Sequence, residues 1–442
     1  MTDQVSLSIA SFGKSNLFQT MGAACLGVAL LTILIALSGL WSEFPLTLFM
    51  VITGLITAGG ILYALPYFQT LPGIRNDGVM HRPSTNRGAI AWGIAVFITG
   101  FYIALYWFPH LLEGLIRTAD PLSDLLRGKP ANQWFMYSIF YTLAILVMGV
   151  RFIARYRHIR YQIIRTISVM FFQLGFAFLL PAFLEKLNQP EFYFSYFWPL
   201  KYSYLFPDDV GSLVSSGKIG IFMVFWGAVM TFIATPILTY KYGKRWYCSW
   251  VCGCGGLAET AGDPYRHLSD KSLKAWKIER MLLYPILVLI TVITILLWVN
   301  SWKGGTLLGN ISGILAMWYG FFIGSIFSGV IGTGFYPIMG ARVWCRFGCP
   351  MAAILGIIQR FKSRFRITTN GGQCISCGNC STYCEMGIDV RAYAQKGENV
   401  IRASCVGCGI CASVCPRGVL KLENLSEKGR FDKQISREQS PS

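Results

Sequence analysis

Eight apolar stretches dominate this sequence, at about 17–41, 45–67, 89–109, 133–154, 166–184, 217–240, 281–301 and 309–340. As helices, they are long enough to cross the hydrocarbon core of a bilayer, which takes about 20 residues. In lipid the backbone polar groups of such segments must be satisfied within the segment, so helix is the expected state. Of 442 residues, 54% are hydrophobic and 14% charged; a soluble domain carries about a quarter charged residues. The expected fold class is mostly α: a polytopic helical membrane domain of about eight transmembrane helices, in contact with lipid, followed by a small C-terminal α+β domain. The polar residues 1–16 precede an apolar run too long for the core of a cleaved signal, so that run is read as a retained helix. The last run is rich in glycine, which predicts a helix that is tilted, broken or closely packed.

Charge orients the bundle. Loops 68–88, 151–165 and 241–280 carry sixteen Lys and Arg, against seven in the intervening loops. Basic loops stay in the cytoplasm, so this set and both termini are expected there. The formal net charge of +18 follows from the same rule. Nucleic acid is excluded as a partner, because no helix–turn–helix or basic aromatic sheet pattern accompanies the charge.

The 14 cysteines are unevenly spread. Two runs close the chain: Cys374-x2-Cys377-x2-Cys380-x3-Cys384, and Cys405-x2-Cys408-x2-Cys411-x3-Cys415-Pro416. Three closely spaced thiolates wrap one face of an iron–sulfur cubane, and the fourth of each run ligates the other cluster. Cys374, Cys377, Cys380 and Cys415 are thus expected to bind one [4Fe–4S] cluster, and Cys405, Cys408, Cys411 and Cys384 a second. Zinc also takes CxxC pairs, but two complete runs of this spacing are far more specific for cubanes. Gly378 and Gly409 permit the turns beside the clusters. Residues 374–423 form this domain, 359–373 a basic linker, and 424–442 a charged stretch expected to be disordered. These runs resemble bacterial two-cluster ferredoxins, except that Glu385 stands where proline usually follows the first run.

An internal repeat marks the ends of two spans. Residues 243–253 read GKRWYCSWVCG and residues 340–350 read GARVWCRFGCP. Cys248 and Cys252 are four apart, as are Cys345 and Cys349, and on a helix this spacing puts both thiols on one face. The two pairs offer either four ligands to a third metal or redox site, or a dithiol switch, with buried structural thiols as the plain alternative. Cys254 is an alternative ligand. With the tail, these motifs resemble the membrane polyferredoxins of the NapH/NosR type over roughly residues 217–420; residues 17–216, with the first five spans, carry no motif of that family. Here Gly253 replaces the family's proline in the first motif. The resemblance implies an inner membrane of a bacterium, electron flow between the quinone pool or a membrane partner and a respiratory or reductive enzyme, and a redox partner protein.

The segment Glu191–Pro207 (EFYFSYFWPLKYSYLFP) is crowded with aromatics. It is read as an aromatic belt at the outer interface, with a pocket for a quinone head as the sharper alternative. His81, His110, His158 and His267 all lie away from span centres, which disfavours a bis-histidine haem. Few ionisable residues lie inside spans, which disfavours an ion pump. GCGG at 253–256 does not follow a strand and is no dinucleotide fingerprint. No independent substrate site or catalytic residue is recognisable. The function read from the sequence is therefore membrane-bound iron–sulfur electron transfer. The alternative is a maturation factor that reduces a metal or a disulfide for another metalloenzyme.

Overall fold

The computed structural model describes residues 17–69, 82–309, 311–370 and 372–425. The expectations for residues 1–16, for 70–81 and for the tail beyond 425 fall outside these residues. Among the described residues, eight helices are long and apolar enough to cross a membrane: α1 (Leu17–Leu37), α2 (Pro45–Gln69), α3 (Ala89–Trp107), α4 (Gln133–Tyr156), α5 (Arg160–Lys186), α6 (Lys218–Tyr242), α7 (Leu273–Trp302) and α8 (Ile311–Gly334). They follow the eight apolar runs in order. Large apolar side chains such as Phe97, Phe225 and Val288 point outward from the bundle, as a lipid-facing surface requires.

Two helices depart from their hydropathy limits for local reasons. α7 begins well before its apolar run, because the Ser272 hydroxyl accepts a hydrogen bond from Ala275 N at 3.1 Å and caps the helix. The added turns carry Trp276 and Glu279 out to the tail domain. α8 ends at Gly334, short of the expected 340, and its glycines serve close packing. A Cβ on Gly320 would lie 2.3 Å from the Tyr202 hydroxyl.

The aromatic segment is not a surface belt. It dips into the bundle, and Phe197 is fully buried. Trp198 Nε1 donates to Thr294 Oγ1 on α7 at 3.1 Å, and Trp198 N donates to Thr231 Oγ1 on α6 at 3.1 Å. Phe197 meets the ring of Tyr247, next to Cys248, with centroids 5.4 Å apart. Rings buried this way gain more than rings left at an interface, and the indole N–H finds a partner inside the bundle.

After α8, the helix α9 (Pro350–Lys362) leads into the tail domain. There β1 (Arg366–Thr369) pairs antiparallel with β2 (Leu420–Glu423), in the register Arg366↔Glu423 to Thr369↔Leu420. β1 lies inside the stretch read as a linker, so this stretch is part of the fold. The tail is seated on the bundle. Ser249 Oγ donates to Val406 O at 2.8 Å, Gln162 Nε2 to Cys408 O at 2.9 Å and Tyr161 OH to Gly407 O at 3.0 Å. The Arg402 guanidinium stands 3.8 Å from the Trp276 ring centroid. One buried core runs from Phe197 and Met230 through Cys248 and Cys349 to Ile367 and Ile388. The basic loops share this face: Arg87 Nη2 donates to Leu268 O at 2.7 Å, and Arg157 Nη1 to Tyr67 O at 3.3 Å.

Candidate redox centres at the bundle–tail junction

In the tail, Cys374, Cys377, Cys380 and Cys415 line one small cavity of about 20 Å³. Gly378 and Gly409 adopt φ of +80° and +73° and begin the short helices Asn379–Thr382 and Ile410–Ser413. A Cβ would strain both turns. The loop carrying Cys405 and Cys408 faces the bundle, whereas Cys377 is exposed at the opposite edge. Burial pushes the Cys380 and Cys405 thiols up to about 11. Such thiols release protons when they bind metal.

The two membrane motifs are built alike, and differently from the expectation of one helical face. Cys248 closes the short helix Arg245–Cys248, and Cys252 is the N-cap of the helix Gly253–Thr260. Cys345 lies in the helix Val343–Phe347, and Cys349 is the N-cap of α9. Each pair therefore spans a break between two helices. The cause is the extended backbone at Cys252 (φ −64°, ψ 123°) and Cys349 (φ −80°, ψ 111°). Gly253 and Pro350 take the first helical position, where proline is favoured and glycine tolerated. The missing proline thus leaves the geometry intact. The exposed N–H groups of a helix start favour a thiolate. The Cys254 thiol pulls the Cys252 thiol down against burial, helped by the Gly255 N–H, by Arg342 and by the Cys254 N–H. Burial pushes Cys248 up to about 12. Cys248, Cys252, Cys345 and Cys349 lie within electrostatic reach of one another. Gly255 makes this possible, since a Cβ there would stand 2.1 Å from the Cys248 carbonyl oxygen.

Between the membrane motifs and the tail lies a buried ion-pair network that sequence reasoning missed. Asp263 accepts from Arg155 Nη1 and Arg266 Nε, each at 2.8 Å, with Arg151 Nη1 at 3.6 Å. Despite burial, Arg155, Arg266 and Arg151 hold its carboxyl down to about 2. Glu259 pairs with Arg165 and, at 2.7 Å, with Arg342. Glu385 pairs with Arg266 at 2.7 Å and with Arg342 at 3.0 Å. Glu279 takes Arg346 at 3.0 Å and the Ser404 hydroxyl. Its one sequence signal is Glu385, the departure from the ferredoxin pattern. Among the described residues, the group of three acidic or thiol donors falling within 4.8 Å of one another is Glu259, Glu385 and Cys408. Arginines already occupy it, so it reads as an ion-pair nest.

A cavity of about 810 Å³ opens on the far side of the membrane motifs. Its floor includes Cys252, Cys254 and Cys349, and its walls include Tyr141, Gln173, Tyr196 and Tyr319. Arg127, Glu185, Glu191 and Lys201 line its end away from the tail. α5 and α8 carry π-helical stretches, Phe172–Leu179 and Gly320–Ile331, and both contribute to the walls. Such wide turns often mark functional sites.

Comparison with known proteins agrees with this layout. The 4Fe-4S dicluster domain family matches residues 373–420. The 4Fe-4S binding domain family matches residues 223–273 and 314–368, which hold the two membrane motifs. The chain is similar to the "Putative electron transport protein YccM" of Escherichia coli (strain K12), at 39% identity over 49 residues. That match covers 11% of this chain and 13% of the relative. No solved structure matches the chain. These findings support iron–sulfur electron transfer by a helical, multi-pass membrane-type protein.

Proposed function

We propose that this chain is a membrane electron carrier of the NapH/NosR type, linking a quinone or a membrane partner to two tail clusters and serving a respiratory or reductive enzyme. Cys374, Cys377, Cys380 and Cys415 hold the distal cluster. Cys405, Cys408, Cys411 and Cys384 hold the membrane-facing one. Cys248, Cys252, Cys345 and Cys349 hold a third iron–sulfur centre, while Cys254 faces the cavity. Bound clusters supply one-electron redox centres. The chain's own residues fix their spacing: Ser249, between Cys248 and Cys252, clasps Val406, between Cys405 and Cys408. The cavity takes the head of a quinone between its aromatic walls, with tyrosine hydroxyls to bond the carbonyls. The tail side is cytoplasmic, because the basic loops gather there.

One observation carries this reading: the cavity reaches Cys252 and Cys349, and the membrane thiols Cys248 and Cys349 share one buried core with the tail thiol Cys380. The test uses the purified chain with its iron. About eight irons per chain correspond to two tail cubanes, and about twelve add a third at the membrane motifs. A short-chain quinol should reduce the tail clusters in the parent. In the double variant Cys248→Ser with Cys345→Ser, reduction should stop and about four irons should be lost. Parental iron and parental reduction by quinol in that variant would overturn the reading. In a deletion strain, an artificial donor that restores the partner enzyme marks a lost electron route; a partner lacking its cofactor marks the maturation alternative.

A further inference from the structure

Each run of a two-cluster ferredoxin tends to close on Cys-Pro. The second run here does so, at Cys415-Pro416; the first closes on Cys384-Glu385. Glu385 is 1% exposed. An ionised carboxylate at such depth carries a desolvation penalty that a neutral proline does not. Its two oxygens are answered by two guanidiniums, Arg266 Nη1 at 2.7 Å and Arg342 Nη2 at 3.0 Å. Its carboxylate also stands within 4.8 Å of the Cys408 sulfur.

Arg342 reaches the other way as well. Its Nη1 lies 3.8 Å from Cys345 Sγ and 3.3 Å from Cys248 O. A single buried guanidinium therefore bridges a thiol of the membrane motifs and the carboxylate beside a tail thiol. The corresponding arginine of the first repeat, Arg245, does nothing similar; it lies over the rings of Tyr161 and Phe365. The repeat alone does not account for Arg342. Nor does stability, since a buried ion pair is at best comparable with apolar side chains of the same volume.

We infer that Glu385 is a positioning residue that lowers the reduction potential of the membrane-facing tail cluster, and that Arg342, shared with Cys345, ties this cluster to the membrane cysteine centre. The inference rests on the ligand sets proposed above. A carboxylate beside a ligand sulfur disfavours an added electron, and the effect is strong where water is excluded. A guanidinium shared by two centres makes the charge state of each felt by the other, and such coupling is reciprocal.

The experiment is a redox titration of the purified full chain, followed by electron paramagnetic resonance. In Glu385→Gln, one tail cluster should shift to a higher potential, with at least about a tenfold higher ratio of reduced to oxidised cluster at a fixed ambient potential. The other tail cluster should stay at its parental potential. Glu385→Asp, which keeps the charge, should restore the parental value. Arg342→Lys keeps a charge but cannot reach both sides, so it should lower the membrane-facing cluster and also move the membrane centre. An iron-replete Glu385→Gln protein with unmoved potentials, or with both tail clusters moved equally, overturns the inference. If Glu385→Gln loses iron, Arg342→Lys decides, and unmoved potentials there overturn it. Quinol reduction of the parent is recorded separately, so failure of the quinone reading leaves a shifted potential standing.

Discussion

Asp263→Asn removes one charge and almost no volume from the ion-pair network, so its effect isolates electrostatics. Asp263 is 2% exposed and lies among Arg151, Arg155 and Arg266. Two routes give the size of the effect. The carboxyl falls from the usual 3.8 to about 2 on folding, and at about 1.4 kcal/mol per unit this corresponds to about 2 kcal/mol. Breaking a buried ion pair by removing one partner costs about 3–5 kcal/mol, because the remaining charges stay buried. Asn also turns an N–H toward the guanidiniums, so the upper value applies at pH 7. Because the folded value lies below the unfolded one, the stabilisation is complete above about pH 4. It is lost as pH falls from there through about 2. The assay is thermal unfolding of the detergent-solubilised protein, with limited proteolysis to report release of the tail. The variant should unfold several degrees below the parent at pH 7 and expose the 243–272 loop. The gap should narrow as pH approaches 2. A variant equal to the parent at pH 7, or a gap that widens in acid, would refute the reasoning.

Gly255→Ala would drive a Cβ to 2.1 Å from the Cys248 carbonyl, and such overpacking costs about 1–3 kcal/mol. Iron should be lost from the membrane motifs but kept in the tail. In Gly253→Pro, at the first helical position that Pro350 occupies in the second motif, the Cβ would stand 2.8 Å from the movable Gln173 Oε1 and in ordinary contact, at 3.5 Å, with the Tyr141 ring, so this variant should keep parental iron; the opposite ranking of these two variants counts against the motif geometry. After chelation, the exposed Cys377 should alkylate ahead of the buried Cys380, whose thiol is pushed up to about 11. In the iron-loaded protein mass spectrometry should find neither modified; equal reaction of Cys377 in both states would argue against its ligation.

Hydropathy carried the eight spans because lipid imposes one demand on every helix, and that demand is local in sequence. The end of α7 at Leu273 was not local. Its apolar run starts later, and only the Ser272 cap and the docked tail explain the added turns. The CxxxC pairs were legible as a repeat and illegible as a shape. Spacing alone reads as one helical face, whereas Gly253 and Pro350 start new helices and place Cys252 and Cys349 at their caps. The ion-pair network was less legible still. Arg151, Glu259, Arg342 and Glu385 come from segments far apart in the chain, and each alone reads as a loop charge. Only Glu385 broke a known pattern.

The aromatic segment shows why composition could not place the cavity. Rings at an interface and rings inside a bundle satisfy the same apolar count, and a Trp or Tyr hydrogen-bond partner can be water in one case and a threonine in the other. Here Thr231 and Thr294 serve Trp198 from the sides of α6 and α7. Thr294 Oγ1 also donates to Ile290 O in its own helix at 2.8 Å, and Thr231 Oγ1 returns a hydrogen bond to Trp198 O at 3.1 Å, so the segment sinks without orphaning its polar groups. Once it has sunk, Phe197 reaches Tyr247 and the segment becomes a wall beside the membrane thiols. A ligand in the cavity therefore touches Cys252 and Cys254 from the side away from the tail, while the Ser249–Val406 contact approaches the same motif from the tail side. The first CxxxC motif is thus reached from two opposite directions, which is the arrangement that the relay proposed above would require.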